Sequence, residues 1–230
     1  RNVGAFGELR YAPGPRDRLV AGERADRWYA RDSRATLALG MTTVANPTAG
    51  AERHATLPGG FARLEHSLAN DTATAYAGLG HVARFPDYWE LVGNGRERTT
   101  SPTAFGTRPE RTTQLDLGFV QHTARAQWSV SAYAARVSNY VLVETGYMKG
   151  MRSASVVRNV DARTLGAEAD ARYALATSWN VTGTLAYARG TNRTDDLPLA
   201  QMPPLELRTG IGYDDGRWSA GALARLVSAQ

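Results

Sequence analysis

The feature that most constrains this chain is a strict alternation of apolar and polar residues along segments of about ten residues. In 164–173, every second residue from Leu165 to Tyr173 is apolar, and the positions between them include Glu168, Asp170 and Arg172. Successive side chains of a β-strand point to opposite faces, so this alternation predicts strands with one apolar and one polar face. The same segments lack the i, i+3, i+4, i+7 spacing of an amphipathic helix.

Ten segments carry the pattern, although Glu23 and Arg27 interrupt the apolar side of the second and leave its phase open. The segments are 3–11, 19–29, 61–68, 72–82, 112–121, 127–134, 164–173, 179–187, 205–213 and 218–226. The connections between them alternate between short (12–15, 69–71, 123–125, 174–178, 214–217) and long (30–60, 84–110, 144–155, 190–203). A membrane barrel keeps its short turns on one side, whereas the Greek-key links of a soluble sandwich have no reason to alternate in this way.

Aromatic residues give a separate indication, because six of them lie close to the short turns. They are Tyr11, Trp128, Tyr173, Trp179, Tyr213 and Trp218. Rings with one apolar and one polar end favour a membrane interface, so the set predicts an aromatic girdle. Ordinary aromatic pairing in a soluble sheet is the alternative. The fold class predicted is all-β, an antiparallel transmembrane β-barrel fragment of about ten strands.

Composition excludes several classes of protein. No run of about 18 apolar residues is present, so no transmembrane helix is predicted. The absence of cysteine rules out disulfides and a cysteine-ligated metal within the chain. The net charge of +5 comes mainly from arginines that form no contiguous block, which argues against nucleic acid as a partner.

Catalytic motifs of the G-x-S-x-G, Walker and H-E-x-x-H types are also missing from the sequence, and no enzyme is predicted. Asp195-Asp196 in a predicted long loop is similar to the acidic pairs of omptin-type barrel proteases, which keeps a barrel-embedded protease open as an alternative. The chain begins at Arg1 without Met or a signal peptide, and it stops in the tenth segment without an aromatic-ended closing strand. We therefore expect a mature or excised internal piece of a larger barrel.

Four motifs resemble, in chain order, those of TonB-dependent outer-membrane receptors. They are Arg84 to Leu91 (RFPDYWEL), Arg108 to Gly118 (RPERTTQLDLG), Arg158 to Ala169 (RNVDARTLGAEA) and Gln201 to Leu205 (QMPPL). Within this superfamily, the four motifs are most similar to those of the TonB-dependent copper receptors. The resemblance implies that residues 1–230 are part of one receptor β-barrel domain of the 22-stranded kind, with the plug and the final strands absent.

The resemblance also implies location, partners and function. We expect the outer membrane of a Gram-negative bacterium, with outer-membrane lipid around the barrel and the TonB complex acting through the missing N-terminal plug. The cargo is expected to be a metal or small molecule, with copper favoured as transported ligand and no resident cofactor. A siderophore or other nutrient receptor of the same superfamily and a passive porin remain alternatives.

The candidate metal ligands are Met148 and Met151 in the predicted loop 144–155, because soft metals such as Cu(I) prefer thioethers and imidazoles. Gly150 permits a turn that would let both sulfur atoms converge, and His54 in the predicted loop 30–60 is the candidate third ligand. Ordinary loop contacts are the alternative for all three.

Two polar sets complete the candidates. Asp87 to Glu90 combine two carboxylates with two aromatic rings, which suits either ligand capture or packing between a strand and a loop. The polar strand face is predicted to line a wet interior with its charges paired. Its members are Gln114, Asp116, Glu168, Asp170, Arg172, Glu206 and Arg208.

Overall fold

The computed structural model describes residues 1–39, 41–68, 72–93, 96, 101–149 and 152–229. The elements in chain order are β1 (Asn2–Tyr11), β2 (Asp17–Arg31), β3 (Thr36–Leu39), β4 (Thr42–Ala45), β5 (Glu52–Leu68), β6 (Ala73–Arg84), α1 (Tyr88–Val92), β7 (Glu110–His122), β8 (Ala126–Lys149), β9 (Arg152–Ala176), β10 (Trp179–Asn192), β11 (Leu197–Pro198), β12 (Glu206–Asp214) and β13 (Ser219–Val227). Within these residues no helix has the length and apolarity needed to cross a membrane.

Ten of the strands form one antiparallel sheet in the order β1-β2-β5-β6-β7-β8-β9-β10-β12-β13. Strands β3 and β4 form a separate hairpin, and β11 adds two residues beside β10. The prediction of ten antiparallel strands is therefore confirmed. Across the described ranges, β1 pairs only with β2 and β13 only with β12, so the sheet stays open at both edges.

The two faces of the sheet differ as the alternation predicts. Register places Leu79, Leu115, Ala134 and Leu165 opposite one another on β6, β7, β8 and β9. Leu115, Leu117 and Leu165 expose about half of their surface (47%, 51% and 48%) instead of meeting in a shared interior. The apolar residues therefore form a continuous outward band, and the polar residues face the opposite way. The predicted phase is confirmed.

The six aromatic residues of the predicted girdle all fall on this outward face, at the ends of the strands that carry the short turns. Trp179 lies directly opposite Tyr213, with 5.0 Å between ring centroids. Trp128 stacks on Phe119 at the same distance. Cross-strand aromatic pairing was the alternative to a girdle. Both interpretations apply here, because the paired rings belong to the predicted girdle.

Strand boundaries differ most from prediction at the end with the long connections. The described residues of the segment 144–155 are strand and not loop, because β8 and β9 continue pairing as far as Lys149 opposite Arg152. His54 is not in a loop either, since β5 already begins at Glu52 and pairs with β2 without interruption. Beyond the apolar band both faces of a strand carry polar residues, so the alternation that predicts a strand ends there. The cross-strand pairing itself continues past that point.

Two tyrosines on the polar face lie over glycines of the neighbouring strand. Tyr76 is opposite Gly118 and Tyr133 is opposite Gly166. A Cβ atom added to Gly118 would lie 2.1 Å from the Tyr76 ring, and one added to Gly166 would lie 2.4 Å from the Tyr133 ring. Each ring therefore occupies the space that the missing side chain leaves, as aromatic residues do when they cover glycines in designed sheets.

This packing predicts that Gly118→Ala and Gly166→Ala destabilise the full-length barrel by about 1 kcal/mol each, because the tyrosine ring must leave its position. Thermal unfolding in detergent measures the effect. Gly183→Ala is the matched control, since its Cβ would meet nothing closer than the carbonyl oxygen of Arg208 at 3.9 Å. Equal melting temperatures for all three variants would contradict the proposed packing.

Candidate functional site

The candidate site is the end of the sheet that carries the long connections, which we call the mouth. It comprises the described residues of the connections 32–51, 85–109 and 193–205 together with the ends of β8 and β9 at Lys149 and Arg152. Two of these connections fold back over the sheet instead of projecting away from it. The mouth is therefore a built structure with its own small cores.

The connection 85–109, called the crossing connection, is anchored first on β2 and β5. Trp28 belongs to the polar face of β2, yet it is only 8% exposed because Phe85 stacks on it with 5.1 Å between centroids. Leu91 and Phe105 complete this buried cluster. The guanidinium of Arg53 lies 5.6 Å from the Trp28 ring centre and donates to the carbonyl oxygens of Phe105 and, at 2.8 Å, Thr107.

The same connection also reaches β8 and β9. Ala104 packs with Val141 of β8 and Val157 of β9 in a second buried cluster. Arg96 pairs with the β9 backbone, accepting from the Val157 amide at 2.6 Å and donating to the Ser155 carbonyl at 3.2 Å. Strands β6 and β7 separate these two anchor points. The crossing connection therefore spans the mouth from one part of the sheet to another.

Asp32 ties the connection 32–51 to the crossing connection. Its fully buried carboxylate accepts from the Arg34 guanidinium at 2.8 and 2.7 Å, from the Asn46 amide at 3.0 Å and from the Thr48 hydroxyl at 2.7 Å. Arg34 in turn donates to the carbonyl oxygen of Val92 at 2.6 Å. The hydrogen bonds from Arg34, above all, hold the pKa of Asp32 far below its usual value despite burial, so the carboxylate stays ionised.

The helix α1 explains the cluster at Asp87 to Glu90. Asp87 accepts from the Glu90 amide at 2.9 Å, and the Glu90 carboxylate accepts from the Asp87 amide at 2.7 Å, which is a capping box. Glu90 also pairs with Arg84 at 2.9 Å. Both carboxylates are thus used to fold the helix. The two rings remain exposed at the rim, Tyr88 by 68% and Trp89 by 74%, and sequence alone did not separate these roles.

A second connection folds inward over β8, β9 and β10. Leu199 packs on Val137 and Ala162, and it lies so close to Gly190 that an added Cβ would meet it at 2.7 Å. Thus Gly190 permits the close approach of this connection.

Arg158 of β9 holds the start of the connection 193–205 against the sheet. Its guanidinium pairs with Glu144 of β8 at 2.8 Å and with Asp195 of the connection. The Arg158 hydrogen bond is the main reason why the pKa of Asp195 lies below its usual value. The adjacent Asp196 points elsewhere and pairs with Arg193 at 3.2 Å.

The polar face below the mouth carries the predicted charges, and several are paired. Glu206 binds Arg208 and, at 2.6 Å, Arg225. The Gln114 amide donates to Asp116 at 2.7 Å. Within the described ranges Glu168, Asp170 and Arg172 form no ion pair, and hydroxyl residues such as Ser129 and Thr184 lie opposite Asp170. Neutralisation by pairing therefore holds for part of this wall.

Of the three candidate metal ligands, the described residues include His54 and the backbone of Met148. Met148 lies on β8 opposite Ser153, Met151 lies outside the described residues, and His54 lies on the outward face of β5 opposite Tyr29. Strands β6 and β7 separate His54 from β8. No group of three or more His, Cys, Asp or Glu side chains among the described residues is arranged to hold a metal ion. Their role as ligands stays a prediction.

Known proteins that resemble the chain share this architecture. The family model for TonB dependent receptor-like β-barrels matches residues 1–230. Among solved structures, the copper transporter OprC is 47% identical with a TM-score of 0.92, over 98% of this chain and 35% of OprC. The ferric-catecholate import receptor Fiu from E. coli K12 is 16% identical (TM-score 0.72, 98% of this chain and 34% of Fiu).

The Serratia marcescens hemophore receptor HasR, solved as a double mutant with its hemophore HasA and heme, is also 16% identical (TM-score 0.77, 99% of this chain and 44% of HasR). The chain thus spans less than half the length of each of these three proteins. The two structures at 16% identity show the fold alone. No curated protein matches the chain in sequence.

The network around Asp32 predicts that Asp32→Asn loosens the connection 32–51, because the half-buried Arg34 guanidinium loses its anionic partner at a cost of about 2 kcal/mol. Hydrogen exchange at pH 7 should show faster exchange of the Asp32 and Gly50 amides. Asp196→Asn is the matched control, because its side chain is 83% exposed and makes one surface ion pair.

The depressed pKa of Asp32 also sets a pH dependence. Its stabilisation is present above the unfolded pKa of about 4 and is lost as pH falls toward the folded value. The difference in melting temperature between wild type and Asp32→Asn should persist at pH 5 and shrink well below pH 4. A difference that stayed constant to pH 2 would contradict an ionised Asp32 as its source.

Proposed function

The chain belongs to the family of TonB-dependent receptor-like β-barrels, and from this membership we propose that it forms part of an outer-membrane transporter that takes up copper with energy from the TonB complex. In the proposed setting, outer-membrane lipid of a Gram-negative bacterium surrounds the apolar band. The TonB complex acts through a plug supplied by the longer protein. Copper is cargo, no resident cofactor is proposed, and nucleic acid is not a partner.

One observation carries the choice of copper, namely the 47% identity to the copper transporter OprC over 98% of this chain. The ferric-catecholate, hemophore and yersiniabactin receptors reach 13 to 16% over comparable coverage. Coverage of 98% includes the connections of the mouth as well as the strands. The parts most exposed to an incoming cargo are therefore within the aligned region.

The structure of the mouth supports gated uptake over a passive pore. The crossing connection is held at both ends by buried clusters, by Arg53 and by backbone pairing with β9. A cargo entering along the polar wall has to pass this connection or displace it. An energised transporter can displace such a connection, which supports gated uptake as the proposed function.

Transport is also proposed in preference to catalysis. Asp195 is engaged by Arg158 and Asn192, and Asp196 is directed to Arg193. A protease of the acidic barrel type requires carboxylates available to activate water. The proposal that the chain is no enzyme is supported by this engagement of the only candidate pair that the sequence offered.

The proposal is tested in cells that carry the full-length gene, its deletion, or a disrupted TonB complex. Under copper limitation, cell-associated copper measured by mass spectrometry should fall in the deletion and in the TonB-disrupted strain to the same level. A passive porin would keep its uptake without TonB. A siderophore receptor would instead lose iron–siderophore uptake while copper accumulation stayed unchanged.

The metal-ligand hypothesis gives a second prediction. Replacing Met148 and Met151 with Leu preserves size and apolarity but removes both thioethers, so Cu(I) binding to the full-length protein should weaken on the order of tenfold. Met41→Leu is the matched control, because Met41 is fully exposed at the β3–β4 hairpin. Unchanged Cu(I) affinity in the double variant, measured by competition with a chromogenic chelator, would assign both residues to ordinary loop contacts.

A further inference from the structure

Four arginines occupy equivalent positions on the outward face of four neighbouring strands. They are Arg111 on β7, Arg136 on β8, Arg163 on β9 and Arg189 on β10, and all four are exposed. Each continues the phase of the apolar residues on its own strand. Ala134, Leu165 and Tyr187 lie two residues closer to the short turns than Arg136, Arg163 and Arg189. The arginines therefore form a row immediately above the apolar band, which we call the arginine row.

Register shows how close the members of the row are. Arg136 and Arg163 lie directly opposite each other on β8 and β9. Arg111 and Arg189 occupy the diagonal positions, because Arg111 is opposite Ser138 and Arg189 is opposite Leu165. Directly opposed side chains on one face have Cβ atoms about 5 Å apart, and like charges in such a pair are destabilising. The sheet thus places two cations together on its outward face.

No carboxylate in the described residues compensates these charges. Among the described residues none of the four guanidinium groups forms an ion pair, whereas Arg18, Arg24 and Arg208 on the polar face pair with Glu65, Asp26 and Glu206. Asp161, two residues beyond Arg163, accepts from the Asn139 amide at 3.3 Å and forms no ion pair within the described part of the chain. An external anion bound between the guanidinium groups would relieve the repulsion.

The height of the row identifies where that anion lies. Arg163 is ten residues before Tyr173, and Arg189 is ten residues after Trp179, both of the girdle near the short turns. Ten residues of strand rise about 33 Å, which at a tilt of about 40° is about 25 Å across the membrane, the height of the apolar band of a transmembrane barrel. The row therefore lies at the opposite interface, on the side of the mouth.

We propose that the arginine row binds the phosphate groups of a phosphorylated glycolipid in the leaflet on the side of the mouth. The inference rests on the proposed outer-membrane setting and adds a site that cargo transport does not require. Guanidinium groups bind phosphate through paired, charge-assisted hydrogen bonds. Acyl chains of the same lipid molecule would lie on Ala134, Leu165 and Tyr187 directly below. One lipid thus satisfies the charge of the row and covers the band.

The test uses full-length protein in detergent and diphosphorylated lipid A as the probe, with binding measured by native mass spectrometry. Arg136→Gln/Arg163→Gln should weaken binding by about tenfold or more, and Arg136→Lys/Arg163→Lys should lose less, because lysine keeps the charge without the bidentate geometry. Arg125→Gln/Arg217→Gln, which removes two charges near the short turns, is the matched control and should bind as wild type.

Three outcomes would overturn the proposal. They are unchanged binding in the glutamine variant, equal binding of dephosphorylated lipid A, and complete competition by millimolar inorganic phosphate, which would indicate a site for a free anion. Fractionation of the same cells separates this from the proposed function. Protein found outside the outer membrane contradicts the proposed setting, whereas correctly located protein with unchanged lipid binding contradicts the arginine row alone.

Discussion

Continuous backbone pairing is the constraint on which the rest of this structure depends. Every strand of the ten except β1 and β13 has a partner on both sides, and the β2–β5 ladder runs unbroken from Asp17 opposite His66 to Arg31 opposite Glu52. In a lipid environment no water is available for an unpaired amide or carbonyl, so the ladder has to be complete across the apolar band. A slip of one residue would turn every side chain to the other face. The ladder thereby decides which residues form the outward apolar band and which form the polar face.

The mouth is stabilised by buried side chains and hydrogen bonds, whereas the apolar band is stabilised by the backbone ladder. Below the mouth, apolar side chains point outward and need no protein partner, as the exposure of Leu115 and Leu165 shows. At the mouth, Trp28 and Phe105 are buried against each other, and Asp32 is buried with its hydrogen bonds satisfied, as in a water-soluble protein. The crossing connection therefore packs against side chains of the sheet in a small core, in addition to the backbone ladder.

The sequence predicted the band well because alternation is the direct consequence of a strand with one apolar and one polar face. It failed where that condition ends. The extensions of β8 and β9 past Val137 carry polar and apolar residues on both faces, and within the predicted loop 144–155 the two strands remain paired as far as Lys149 opposite Arg152. Trp28 gives no sequence sign of burial, since its partners Phe85 and Phe105 come from a connection with no periodic pattern. Likewise His54 lay in an apparently irregular stretch that pairs as strand β5.

The arginines show most clearly how a barrel hides a surface from linear inspection. Arg111, Arg136, Arg163 and Arg189 are separated by 25, 27 and 26 residues, about the length of one strand with its connection and turn, so no window of sequence contains two of them side by side. The net charge of +5 therefore looks diffuse, although the fold sorts it. On the polar face Glu65 and Glu206 each pair with two arginines, while the four members of the arginine row share the outward face at one height. In a barrel, a charged surface patch is found by comparing residues at the same level on adjacent strands. The strand register shows which residues share that level.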